Sequence, residues 1–222
     1  MRDYIKSQEA LGSLGATQVD PIEYSPPEAG GGAQYTVLTH EFRHDLNAYL
    51  AARDIPSDRD TLAELIAWNE ANAERVMSIF GQSVFVDSEA TDGLESEAYL
   101  EARALNNDHM RETVEGWLET HDLDALFIPV NGPAWKTDWV AGDRYSFGGT
   151  SSLSAISGLP SVVLPGGTVS RLPVNVGFVG AAFSEPTLIR LAQALEASLD
   201  ARVTPGYLPT LEAVSAPAAG TP

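Results

Sequence analysis

His40-Glu41-Phe42-Arg43-His44 places two imidazoles and a carboxylate at the spacing H-E-x-x-H. On a helix, histidines at i and i+4 share a face and can hold zinc, and the intervening Glu can serve as general base. Asn69-Glu70 downstream is where a third-ligand segment could be sought. The residues around the motif argue for a different reading. With Leu38 at zero and about 100° per residue, the apolar residues Leu38, Phe42, Leu46, Tyr49 and Leu50 form a stripe between roughly 0° and 120°. On the same wheel His40 falls near ~200° and His44 near ~240°, on the polar face. A catalytic zinc ligand needs a dry cleft and partners that fix its tautomer, whereas Arg43 and Asp45 surround this pair with charge. The expectation is therefore two solvent-facing histidines and no metal site; His40, Glu41 and His44 as a zinc metalloprotease centre is the alternative. His109 and His121 are expected at the surface of an acidic helix, where a cation suits the C-terminal end.

The elements that must position any site follow from periodicity and punctuation. Residues 2–14 read as a helix that Gly15 stops, and Thr17 to Tyr24 as a short strand. A Pro/Gly loop over 25–34 leads into a helix from about Tyr35 to Arg53 with the apolar stripe toward the core. The next helix runs from about Asp60 to Ala73, with Asp60 and Glu64 flanking its first turn. A turn at Phe80-Gly81-Gln82 precedes a long acidic helix over about 96–121. Ala125–Pro129, Ser161–Leu164 and Val174–Val179 are short apolar runs, as expected of buried strands. Gly148 to Gly158 is small and Ser/Gly-rich, and Pro165-Gly166-Gly167 closes the second strand. A last amphipathic helix covers about Glu185 to Asp200. This order indicates an α/β protein. No linker divides it, so residues 1–211 read as one domain or part of one, with 212–222 a disordered tail.

Composition narrows the classes. The chain has 222 residues and a net charge of −18, with no cysteine. Thiol chemistry and disulfides are excluded. The charge argues against nucleic acid and anionic membrane as partners, since both reward Lys and Arg. The acid is concentrated early: residues 1–120 carry 23 acids against 8 bases, residues 121–222 only 8 against 5. The first part reads as solvated helices and the second as the part that builds the core. No apolar run reaches the ~20 residues that span a bilayer, and the N-terminus carries no secretory stretch.

Several blocks, in order, carry a family resemblance. THEFRHDLNAYL over 39–50 is similar to an amidase helix read as Y-E-F-K-x-x-L-N-A-Y-L. TLAELIAWNEANA over 61–73, then Phe80-Gly81-Gln82, and LDALFIPVNGPAWKTD over 123–138 continue the match. So do GGTSSLSAISGLPSVVLPGG over 148–167 and LPVNVGFVGAAFSEPTLIRLAQALE over 172–196. Together they resemble the amidase-signature hydrolases, in the peptide-amidase and amide-hydrolase branch, and only the C-terminal part of them. The resemblance also explains H-E-x-x-H as the Y-E-F-K helix with two chance histidines.

The resemblance implies an α/β fold, the C-terminal portion of the amidase-signature fold, with a mixed sheet flanked by helices. It implies hydrolysis of carboxamide C–N bonds by a Ser–cis-Ser–Lys triad, in which Lys activates the serine nucleophile through the bridging Ser and backbone N–H groups hold the oxyanion. That triad belongs to the family's N-terminal part, and no catalytic residue is assigned here. Lys6 and Lys136 are the only lysines, and neither is followed at family-like distance by the nucleophile run. The flanks of Ser151 match the C-terminal G-G-S-S-S segment, so Ser151 is not read as the nucleophile. Substrate-side contacts are expected from Asn131 and Trp135, in the loop after strand ALFIP, and from Ser151. Val130-Asn131 stands where the family usually has Thr. No cofactor and no metal are implied. The partners implied are an amide substrate, small or peptidic, in the complete enzyme, and the N-terminal amidase portion. A non-catalytic subunit that completes a split amidase is the alternative.

Overall fold

The computed structural model describes residues 2–19, 22, 32–53, 57–130, 132–143 and 150–207. The tail expected over 212–222 lies outside them. Helix α1 spans Arg2–Ser13, α2 Ala33–Ala51, α3 Leu62–Ala71, α4 Ala73–Val76, α5 Ser83–Glu89 and α6 Glu97–Arg103. A π-helical stretch, Ala104–Asp108, joins α6 to α7, His109–Thr120. Then come β1 (Leu126–Pro129), α8 (Thr150–Ser157), β2 (Ser161–Val169), β3 (Leu172–Val179) and α9 (Glu185–Leu199).

The three strands form one antiparallel sheet with β3 in the centre, in the order β1-β3-β2. Alternation along β3 feeds two cores. Val176 and Phe178, with Leu164 of β2, pack on Leu188, Ala192 and Leu195 of α9 and Leu11 of α1. Val179 turns the other way and joins Leu126, Leu159 and Met110, Val114 and Leu118 of α7. Tyr4 ties α1 to β1: its ring stacks on Phe127 at 5.3 Å and its hydroxyl donates to the Phe127 carbonyl at 3.3 Å. The sheet is thus covered by helices on both sides.

Pro165-Gly166-Gly167 does not close β2. The strand runs on to Val169 through a bulge between Pro165 and Gly167. A Cβ on Gly166 would lie 3.0 Å from Val176 Cγ1 and 3.3 Å from its N, so glycine is what lets β2 stay against β3 there. Ser170 and Arg171 then close the β2–β3 hairpin with positive φ at both positions, 51° and 69°. That is a tight primed turn without the Asn-Gly signature that would announce it.

The first part of the chain is helical, as its charge suggested. Thr61 caps α3 by accepting from the Glu64 N–H at 3.2 Å, and Glu64 Oε2 accepts from the Asp60 N–H at 2.9 Å. This is a reciprocal capping arrangement. The turn at Phe80-Gly81-Gln82 is held by Gln82, which donates to the Ile66 carbonyl and accepts from Asn69. Residues 17–19, expected as the start of a strand, have no regular structure, and most of the rest of that segment lies outside the described residues. Three helices, α4, α5 and α8, have no counterpart among the elements expected from the sequence: each is too short for a clear apolar period.

Helix α2 corrects the expected orientation. Its stripe does not face the core. Leu38 is 55% exposed and Tyr49 63%, while Val37 (4%) and His40 (7%) are buried. Only Leu50 of the stripe is buried, and Phe42 and Leu46 are half-buried. The reason is what covers the helix: Tyr99 and Ala102 of α6 pack on Ala33 and Val37, on the other side. Periodicity reveals an apolar face, not which neighbour lies against it.

Candidate functional site

The segment between β1 and β2 carries the residues expected to face substrate. β1 ends at Pro129, and Val130 behind it is buried. The chain then emerges as an extended loop. Trp135, 40% exposed, donates from Nε1 to Asp143 Oδ1 at 3.1 Å, closing the loop on itself. Asp138 accepts from the backbone N–H of Val140 at 3.0 Å and of Ala141 at 2.8 Å. These N–H groups favour the carboxylate and hold its pKa below the ordinary value. Trp139 and Val140 are carried outward, 71% and 98% exposed. Asn131 lies outside the described residues. Ser151 is the second residue of α8, at the helix end where backbone N–H groups lack intrahelical partners.

The far end of α8 is fixed by two residues that carry no motif in the sequence. Arg111 of α7 donates from Nε to the Ser157 carbonyl at 3.0 Å, and Asn107 of the π-helical stretch donates from Nδ2 to the Ile156 carbonyl at 2.9 Å. Both meet carbonyls at a helix C-terminus, where donors and positive charge are favoured. The extra residue of the π stretch sets where Asn107 emerges from an otherwise continuous helix. Gly158 ends α8 with φ +69°, and a Cβ there would sit 3.1 Å from Arg111 Nη2. The signal available in sequence was a basic residue, Arg111, in an acidic helix whose only other Arg or Lys is Arg103.

The H-E-x-x-H residues do not make one site. His40, expected on the solvent face, is buried: its ring stacks on Tyr99 at 5.7 Å and Nδ1 lies 2.7 Å from the Thr36 carbonyl. The error follows from the stripe, since the face opposite the apolar residues is the one α6 covers. His44 is exposed and paired with Asp45 at 2.8 Å. Glu41 accepts from the Tyr99 hydroxyl at 2.9 Å. Burial first, and then that bond to a carboxylate, raise the Tyr99 pKa. Among the described residues no group of three or more His, Asp or Glu could hold a metal ion, and no helix is long and apolar enough to cross a membrane.

Comparison with known proteins gives this geometry its family. No family model matches the chain. A probable amidase of Arabidopsis thaliana is 33% identical over 176 residues, which are 77% of this chain and 30% of that relative. The native peptide amidase of Stenotrophomonas maltophilia superposes with a TM-score of 0.79 at 34% identity, over 93% of this chain and 41% of that one. A bacterial aryl acylamidase of the amidase-signature family, 16% identical and covering 89% of this chain and 39% of that one, shares the fold at a TM-score of 0.59. The chain belongs to the amidase-signature family. It matches the C-terminal portion of that fold, and spans less than half the length of the relatives it resembles.

Proposed function

We propose that these residues are the C-terminal portion of an amidase that hydrolyses carboxamide C–N bonds. In this reading they complete the sheet and one wall of the substrate pocket, and the Ser–cis-Ser–Lys triad is supplied by the rest of the domain. The observation that carries the reading is the overlap itself: 93% of this chain lies on a peptide amidase, on only 41% of it. The chemistry supports it. A serine hydroxyl is a poor nucleophile at neutral pH and needs an adjacent base, and a lysine base must shed its proton, which burial favours. Lys6 and Lys136, the only lysines, are both exposed. By this account the chain alone is inactive.

Asn131, Trp135 and Ser151 are proposed to face the amide substrate, small or peptidic, from the loop after β1 and the first turn of α8. Their roles are binding and shape, not bond cleavage. Purified chain incubated with a simple carboxamide is expected to release no ammonia; supplying the remaining amidase portion is expected to restore turnover. If the mixture stays inactive although the two parts associate, the reading fails. A second reading is favoured by the outward-facing stripe of α2: the chain is a non-catalytic subunit that pairs with a separate polypeptide holding the triad. Co-purification of such a polypeptide from the source cells separates the two.

A further inference from the structure

Helix α2 is apolar on two sides. Ala33, Val37 and His40 are spent on α6, yet Leu38, Phe42, Leu46 and Tyr49 lie on another face with Tyr35 beside them. With Val84 of α5 they line an open groove of about 500 Å³. Phe42 is braced from below by Phe85, 5.5 Å between ring centres. A helix apolar on both sides is one built to lie between two layers, and one of those layers is absent among the described residues. The acid-rich surroundings make the apolar choice more pointed, because the chain carries −18 overall and a solvated face would have shared that charge.

We propose that this α2–α5 groove is the docking surface for the N-terminal portion of an amidase-signature domain. The proposal rests on the reading that the chain is one portion of such a domain, and it adds where the other portion sits. Length points to the occupant: the chain accounts for 41% of the peptide amidase it superposes on, so more than half of that fold lies elsewhere. The rim gives the charge of the partner. Glu41 and Asp45 flank the groove, and Asp87 accepts from the Tyr35 hydroxyl at 2.6 Å. The complementary surface is therefore an apolar helix or strand face edged with Lys or Arg.

The test is co-expression of the full 222-residue chain with the part of the Stenotrophomonas maltophilia peptide amidase that it does not cover. Stoichiometric co-purification is expected. Leu38→Asp and Tyr49→Asp change residues more than half exposed, so helical circular dichroism is expected to be unchanged. Each is expected to lower the recovered complex about tenfold or more, as for a central contact of an interface. If both variants keep their fold and co-purify like the parent chain, the docking surface is elsewhere and the proposal is overturned while the family reading stands. If the parent chain itself fails to co-purify, the portion reading falls and takes this proposal with it. A discrete homodimer of the chain alone that Leu38→Asp converts to monomer would assign the groove to a second copy and overturn the proposal.

Discussion

Arg111 reaches across from α7 to the last carbonyls of α8, donating to Ser157 at 3.0 Å over 46 residues of sequence. Together with Asn107 it anchors the end of the helix whose other end carries Ser151. Arg111→Met keeps much of the apolar stem and removes the donors. It is expected to cost about 1 kcal/mol, the net worth of such a hydrogen bond. Urea unfolding checks this; a change within 0.5 kcal/mol, roughly the scatter of a surface substitution, would contradict the anchoring role.

Gly180 follows β3 where the chain turns under α9. A Cβ there would fall 2.3 Å from Ser184 Oγ and 2.9 Å from Leu188 Cδ2. Leu188 is 1% exposed and has nowhere to go. Gly180→Ala is expected to destabilise by about 1–3 kcal/mol through overpacking. Thermal unfolding of the variant beside Gly81→Ala, where nothing lies within 4 Å and the backbone is not left-handed, separates crowding from the cost of losing a glycine.

These two expectations show what sequence could and could not reveal. α1, α2, α3, α9 and the three apolar strands were legible because each is long enough, or apolar enough, to show its own pattern. Leu50 was placed correctly as buried, but Leu38 and Tyr49 were not, because their period is the same whichever side α6 takes. His40 was misplaced for the same reason: its burial is set by Tyr99, 59 residues away. Of the candidate site, Trp135 and Ser151 could be picked only through family-like blocks. Asp143 and Arg111, which hold their segments in place, make contacts that no local pattern encodes.

Asp138 titrates below an ordinary carboxyl because it accepts the Val140 and Ala141 N–H groups. A folded-state pKa depressed below the unfolded one gives stability that is present above the unfolded value and lost as pH falls through the folded one. The 138–142 turn is therefore expected to be ordered at neutral pH and to loosen in acid, below the ordinary carboxylate range. Amide exchange at Val140 and Ala141, corrected for intrinsic pH dependence, reads this directly. Asp138→Ala is expected to abolish the protection at every pH.

Trp135 is tethered to Asp143 rather than packed in a core, and 40% of it remains accessible. In the reconstituted enzyme Trp135→Ala is expected to raise KM severalfold, roughly 1 kcal/mol of lost apolar contact, with kcat changed little. Unaltered KM with a lowered melting temperature would give Trp135 a purely structural role.

The most direct measurement is made on the purified 222-residue polypeptide by itself, offered a simple carboxamide and then a serine-directed phosphonate probe. The account requires that no ammonia is released above the buffer blank and that no serine is labelled. Turnover, together with a labelled serine mapped by mass spectrometry, would show that nucleophile and base lie within these residues and would contradict it.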